Sequence, residues 1–302
     1  MQIDSSKLKI YLGSVSDKKF TEYVFSSNNV DTVYHAAACK HVPLIESNPL
    51  SAITTNILGS YYVAISAIKN NVKNFIFVSS DKAVRPTNIM GSTKRFAEIT
   101  LQSLQDNIFK FSKNSKIKFC IVRFGNVLDT SGSVIPLFRE QIAKGGPLTV
   151  THPEIIRYFM TIEEAVGLVI QAGSLSDGGE IYILDMGEPI KVLDLAKEMI
   201  KLSGNNIKGK NSVDGIEIIF TGLRPGEKMY EELFINNDKK STLHKDIVSA
   251  IESKLPYNKV LEYIDIFENL KLNIPHEQLQ TLLSESISCD EKKKNIIDIN
   301  KK

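Results

Sequence analysis

Metal-ligand spacing is the first thing this sequence lacks. Its three cysteines, Cys39, Cys120 and Cys289, lie far apart, and its five histidines form no H-x-x-x-H or related pattern. Reduced thiols without a structural metal are therefore expected. Long apolar runs are missing as well: the longest, such as the one around Phe75 to Val78, are strand-length, and the N-terminus shows no charged-then-apolar leader. We accordingly expect no membrane segment and a cytoplasmic location. Charge of one sign is also absent. With 37 Lys and Arg against 35 Asp and Glu, nothing global points to nucleic acid or to an anionic membrane surface. Any anion the protein binds must be held by a local cluster.

What is present is 42% hydrophobic content in 302 residues, ample for a buried core. Short β-rich runs alternate with helical patterns through the first half, which predicts βαβ units on a doubly wound parallel α/β sheet. KIYLGS ending at Ser14, VDTVYHAA ending at Ala37, NFIFVSS ending at Ser80 and KIKFCIVRF ending at Phe124 read as strands. A helix is predicted from Asn48-Pro49, with Asn as cap and Pro in the first turn, to about Asn70, and another from about Asn88 to Asp106. Thr161 to Glu164 matches a capping box and should start a helix through Val169. Gly- and Pro-punctuated loops dominate after Phe124. A first unit over 1–130, with 158–178 packing back on it, and a smaller capping unit over 131–157 and 179–302 are expected. The tail from about residue 288 should fray, and no internal repeat is found.

The chemistry-bearing stretch is SSDKAVRPTNIMGSTKR, from Ser79 to Arg95. Ser80, Asp81 and Lys82 fall at the C-terminal end of a strand pattern, where open α/β sheets hold their ligands; a solvated strand end would read the same. Met90 and Lys94 share a face of the following helix, so that all five residues look into one crevice. Taken singly, Met90 reads as core filler and Lys94 as a surface lysine. In HAAACKHVPLIESNP, Ala36 to Ala38 let a flat ring or a ribose approach the backbone, or else serve tight helix–strand packing; Lys40 and His41 are loop charges. Arg157 and Arg224 are candidates for clamping a diphosphate, because guanidinium groups meet phosphate oxygens bidentately, with surface salt bridges as the alternative. Pro225-Gly226 would fix the loop after Arg224, and Glu227 there could accept hydrogen bonds from ribose hydroxyls.

Taken together, HAAACKHVPLIESNP, SSDKAVRPTNIMGSTKR, RFGNVLDTSGSVIPLF, GGPLTVTHPEIIRYFMTIEEA, LDMGEP and GLRPGEKMYEEL resemble the CapD-type nucleotide-sugar dehydratases of polysaccharide biosynthesis. These are extended short-chain dehydrogenase/reductases, and the likeness runs in matching order and spacing over roughly residues 8–235. The resemblance implies a Rossmann-type dinucleotide-binding domain with a smaller C-terminal substrate domain, and NADP or NAD as cofactor. It further implies 4,6-dehydration of UDP-N-acetylglucosamine or a close relative, and a homo-oligomer. It puts the acid–base pair on Asp81 and Lys82, a hydroxyl on Ser80 and the cofactor-ribose lysine on Lys94. Cofactor contacts fall on Val15, Ala37, Lys40 and Asn56, and sugar-nucleotide contacts on Lys40, Asn126, Ser133, Arg157, Arg224 and Glu227. Met90 stands where one kind of member has tyrosine, and is similar to the kind that retains configuration at C5. Rival readings are a 4- or 5-epimerase of the same sugar nucleotide and a non-catalytic sugar-nucleotide binder. For Lys82 to act as a base its pKa must be lowered by burial and by Lys94, and for Asp81 to act as an acid its own must be raised.

Two departures from that pattern matter. Ser14 stands where an acidic residue usually contacts adenine, and no G-x-x-G-x-x-G phosphate loop is found before residue 8. The first βαβ unit, at least ~30 residues, is then expected to be missing. The strand ending at Ser14 should not touch the strand ending at Ala37, whose open edge is either an aggregation hazard or completed by a separate N-terminal piece; alone, the chain is expected to bind NAD(P) poorly and to turn over no sugar nucleotide.

Overall fold

The computed structural model describes residues 5–209, 214–234 and 239–288. Cys289 and the tail expected to fray lie outside the described residues. The first elements are α1 (Lys18–Ser26), β1 (Thr32–His35), α2 (Val42–Ser47), α3 (Pro49–Ala52), a π-helical stretch (Ile53–Gly59), α4 (Ser60–Lys69), β2 (Asn74–Val78) and α5 (Ile89–Gln105). Then come β3 (Lys118–Arg123), β4 (Asn126–Val127), α6 (Val134–Ala143), β5 (Leu148–Val150), β6 (Ile156–Arg157), β7 (Phe159–Met160), α7 (Ile162–Leu175) and β8 (Ile181–Leu184). The last are β9 (Ile190–Lys191), α8 (Val192–Leu202), β10 (Ile218–Phe220), β11 (Lys239–Ser241), β12 (Ile247–Ala250), α9 (Tyr257–Glu268) and α10 (His276–Ile287).

One sheet runs in the order β1-β2-β3-β8-β12-β11, parallel from β1 to β8 and antiparallel beyond. β2 and β3 carry the unbroken apolar runs Phe75 to Val78 and Phe119 to Val122 because both of their faces are covered. Phe75, Phe77, Phe119 and Ile121 pack with residues of α4 and α5, while Ile76, Cys120 and Val122 pack with α7. Burying each such Phe stabilises by about 1.5–3 kcal/mol relative to leaving it exposed. The far side of α5 is covered by α9 and α10, where Phe96 and Ile99 meet Val260, Phe267 and Leu282. Phe138, Leu148, Val150, Val192, Ala196 and Ile200 form a separate cluster joining α6, β5 and α8. The Thr161–Glu164 capping box is present, and the helix it starts runs past Val169 to Leu175.

The α/β fold class is as expected, with three local corrections. KIYLGS is not a strand: residues 8–14 have no regular structure, and Leu8, Ile10 and Leu12 are exposed. Among the described residues the sheet ends at β1, so that segment has no strand beside it to satisfy its backbone. β1 itself pairs with β2 on one side and forms the sheet edge on the other, as the strand-order argument requires. Asn48 does not cap through its side chain; Nδ2 donates to Leu44 O at 2.9 Å, and the helix beyond passes through the π-helical stretch before α4. Finally, β8 pairs with β3 in parallel and carries β12 and β11 into the main sheet, while α9 and α10 pack on α5. The main sheet therefore continues past the boundary expected at residue 179.

Among the described residues no helix is long and apolar enough to cross a membrane, and no group of three or more His, Cys, Asp or Glu is placed to hold a metal ion. Cys39 and Cys120 are free thiols.

Candidate active site

Beyond β2 the chain stays tied to the sheet. Ser79 N donates to Val122 O at 2.8 Å and Asp81 N to Phe124 O at 3.1 Å, so pairing with β3 continues into the turn. Ser80 caps the short 3-10 turn Asp81–Ala83, its Oγ accepting from Lys82 N at 3.2 Å. α5 starts directly against this turn. Asn88 Oδ1 accepts from Gly91 N at 2.8 Å, and a Cβ at Gly91 would lie 2.2 Å from Lys82 O, so the approach requires glycine.

Asp81 is 1% exposed, and its Oδ1 accepts from Lys82 Nζ at 3.0 Å and from Ser80 Oγ at 2.9 Å. Across the ammonium lies Glu231 Oε1 at 3.5 Å, itself 3.9 Å from Arg157 Nε. Carboxylates and cations thus alternate in one cluster, but the cluster is incomplete. Asp81 Oδ2 and Glu231 Oε2 are buried without a hydrogen-bond partner. An unsatisfied buried acceptor costs about 1–3 kcal/mol, more when charged, so such atoms call for donors from a ligand. Burial opposes the charge on Lys82, yet the attraction of Asp81 and then of Glu231 outweighs it and raises the lysine's pKa. The expected lowering is corrected on this point: two anions flank the ammonium, and Lys94 reaches elsewhere. Glu231 escapes the sequence reading because it joins Lys82 from a distant segment, and its only signal is its place in EKMYEEL just after the RPGEK loop.

That segment is docked onto the start of α5. Gly226 adopts a left-handed conformation (φ +74°), and its carbonyl accepts from Thr87 Oγ1 at 3.0 Å and Asn88 Nδ2 at 3.1 Å. Lys228 Nζ donates to Val84 O at 2.9 Å. From β6, Arg157 donates through Nη1 to Ile156 O at 2.7 Å and through Nη2 to Lys228 O at 2.8 Å, with Glu227 Oε1 at 3.5 Å. Glu227 also accepts from Thr151 Oγ1 at 3.2 Å and from Arg224 N at 3.1 Å. Arg157 and Glu227 hold the loop in this arrangement, whereas Arg224 is exposed.

On the β1 side, Lys94 is buried; its Nζ donates to Val78 O at 2.7 Å and lies 4.4 Å from the centre of the Phe77 ring. Burial pulls its pKa down to about 8, with Glu98 partly offsetting the fall. Met90 packs in the apolar cluster with Ile45, Ile89 and Leu279. Asn56 is fully buried in the π-helical stretch, accepting from Cys39 N at 2.7 Å and donating to Cys39 O and Thr93 Oγ1 at 3.0 Å each. It locks the loop carrying Ala37 and Lys40 onto α5, and Lys40 there is exposed. Val15 packs against the core of α4 and β2, Asn126 lies on β4 beside β7, and Ser133 begins α6 with its buried Oγ unpartnered. Ser80, Asp81, Lys82, Arg157 and Glu227 are thus brought together, with Glu231 added.

A family model described as "Polysaccharide biosynthesis protein" matches residues 1–252. The chain is 52% identical over 252 residues to the capsular polysaccharide biosynthesis protein CapD of Staphylococcus aureus, covering 82% of this chain and 39% of CapD. It is 46% identical over 280 residues to the probable polysaccharide biosynthesis protein EpsC of Bacillus subtilis (strain 168), covering 91% of this chain and 43% of EpsC. It therefore spans about two fifths of the length of these relatives. Among solved structures, Pen from Bacillus thuringiensis aligns with a TM-score of 0.72 at 33% identity, covering 93% of this chain and 83% of Pen.

Proposed function

This chain belongs to the polysaccharide biosynthesis protein family, and on that premise we infer that it is a nucleotide-sugar 4,6-dehydratase acting on UDP-N-acetylglucosamine or a close relative. The observation that carries this reading is the Asp81–Lys82 pair, held at the carboxyl end of a parallel sheet in a buried cluster whose two carboxylates each keep one oxygen without a donor. The hydroxyls of a sugar ring supply donors of that kind.

A bound nicotinamide cofactor, NADP or NAD, would supply the hydride chemistry, removal from C4 and return to C6. The residues fit its nicotinamide-ribose half: small Ala36 to Ala38 follow β1, and the buried Lys94 amine, near-neutral in its titration, stands in the first turns of α5. Oxidation at C4 acidifies the C5 proton, because the resulting carbanion is delocalised into the ketone. In this reading Lys82 takes that proton and passes one across its hydrogen bond to Asp81, which, oriented by Ser80, delivers it to the departing C6 hydroxyl. Met90 has no ionisable proton, so the C4 hydroxyl proton passes to Asp81, to Lys82 or to a water held by Ser80. Arg224 would meet the diphosphate, with Arg157 fixing the loop behind it. A cytoplasmic homo-oligomer belongs to the same proposal.

The test is the mass of the product. Incubated with UDP-N-acetylglucosamine and NADP or NAD, by itself or, if it takes up no cofactor, fused to a Gly-rich βαβ segment from a related dehydratase, the protein should release a nucleotide sugar lighter by one water. A product of unchanged mass would assign it to epimerisation at C4 or C5, and tight binding without any product would make it a sugar-nucleotide binder.

A further inference from the structure

We propose that Glu231 is the proton acceptor for Lys82: it holds the ammonium in the resting cluster and takes one of its protons when a bound substrate seals the pair from water. Lys82 is left as the free amine that a C–H abstraction requires. The substrate step rests on the dehydratase reading above; the coupling of the two side chains does not.

The geometry carries the argument. The Glu231 side chain is 4% exposed, with Oε1 3.5 Å from Lys82 Nζ and Oε2 unpartnered. The groups that face the ammonium are Asp81 from its own turn, Glu231 from the docked segment and Arg157 from β6. The other nearby charges are engaged: Glu227 with Thr151 and Arg157, Lys228 with Val84 O and Glu232, and Lys94 with Val78 O. Asp81 must stay open to relay the C5-derived proton from Lys82 to the leaving hydroxyl, which leaves Glu231 to accept the first proton from Lys82. Exclusion of water by a bound substrate disfavours separated charges and so moves such a pair toward amine and carboxylic acid. The step balances: a Lys82 N–H bond breaks, a Glu231 O–H bond forms, and the pair stays neutral overall. The amine lone pair then binds the C5 proton as the C–H electrons move into the enolate. Lys82 passes a proton across its 3.0 Å hydrogen bond to Asp81, Asp81 gives it to the C6 oxygen as the C–O bond breaks and water leaves, and Glu231 returns its proton to Lys82. The docking of this segment uses the Gly226 carbonyl, Lys228 and the Lys228 carbonyl, so the Glu231 carboxylate can be removed without undoing it.

Three variants decide the matter. Glu231→Gln keeps the size and removes the acceptor, Glu231→Asp keeps the acceptor but draws it back, and Glu232→Gln makes the same charge change one residue along. The Lys82 titration is followed by NMR after isotopically labelled dimethylation of the lysines, with Lys82→Met assigning the signal. Glu231→Gln should lower the Lys82 midpoint by about one pH unit or more. It should also slow water loss roughly 100-fold or more at unchanged UDP affinity. Glu231→Asp should recover part of the rate, and Glu232→Gln should leave midpoint and rate as in the wild type. An unmoved midpoint in Glu231→Gln overturns the coupling, and a moved midpoint with undiminished water loss overturns the proton transfer. A wild type that dehydrates no UDP-sugar would refute the dehydratase reading, while the midpoint would still decide whether Glu231 governs Lys82.

Discussion

Two buried charge clusters lie at the carboxyl ends of the same strands, and they differ in completeness. In the first, Arg123 on β3 donates to both carboxylates beside it, through Nε to Glu98 Oε1 at 2.7 Å and through Nη2 to Glu252 Oε2 at 2.8 Å. Arg123 Nη1 reaches Glu252 Oε1 at 2.5 Å, Arg95 Nη1 lies 3.1 Å from Glu98 Oε2, and Ser79 Oγ donates to Glu98 Oε1 at 2.6 Å. Every carboxylate oxygen there has a donor. Burial would raise the Glu98 pKa, but Arg123 and then Arg95 hold it below the ordinary range. In the second cluster Asp81 and Glu231 each keep an oxygen without a donor. A closed network fixes β2, β3 and α5 relative to one another, whereas an open one reserves its acceptors for something outside the chain.

Breaking the closed cluster should have the largest effect. Arg123→Met leaves Glu98 and Glu252 buried with Arg95 as their remaining cation, and should destabilise the protein by about 3–5 kcal/mol in urea unfolding. A loss similar to that of an exposed substitution would show that the network contributes little. The matching change in the open cluster should behave in the opposite way. Asp81→Asn removes a carboxylate that keeps one oxygen without a donor and leaves Lys82 paired with Glu231, so stability should stay within about 1 kcal/mol of the wild type or above it, while turnover falls roughly 100- to 10,000-fold. Equal stability losses in the two variants would erase the distinction between the clusters.

Lys94 sharpens the comparison through pH. Its folded pKa of about 8 lies below the ordinary 10.5, so between these values the unfolded chain retains a proton that the folded state has shed. Stability therefore rises with pH across that window. Relative to Lys94→Met, the wild type should gain up to about 3 kcal/mol from pH 8 to pH 10.5, read as the difference between two unfolding curves at each pH. A difference that stays flat would mean that Lys94 carries its charge in both states throughout.

The smallest effect concerns the arginines. Arg224 is exposed, so Arg224→Ala should leave stability unchanged and weaken UDP binding by about 1.5–3 kcal/mol in calorimetry. Arg157→Ala should change both, because its guanidinium also fastens the Lys228 carbonyl. Unaltered UDP affinity in Arg224→Ala would remove that residue from the site.

The core strands were legible because NFIFV and KFCIVR carry unbroken apolar residues that need cover on both faces. KIYLGS has the same local texture but no strand beside it, which local texture cannot report. β11 and β12 passed unnoticed because KKS and IVSA are short, and one of them is polar throughout. In the site, Ser80, Asp81 and Lys82 are contiguous and were visible at once. Glu231 was not, since its contact with Lys82 is made by tertiary docking of the RPGEK segment, and the direction of the Lys82 pKa shift was missed with it.

The central claim is that the open cluster is where a proton leaves carbon. Its most direct test is to run the reaction in deuterated water with UDP-N-acetylglucosamine and locate deuterium in the product by NMR. The account predicts deuterium at C5 with the wild type and none with Lys82→Met, with UDP affinity within about tenfold, as expected when a general base alone is removed. Deuterium entering C5 at the same rate in Lys82→Met would contradict it.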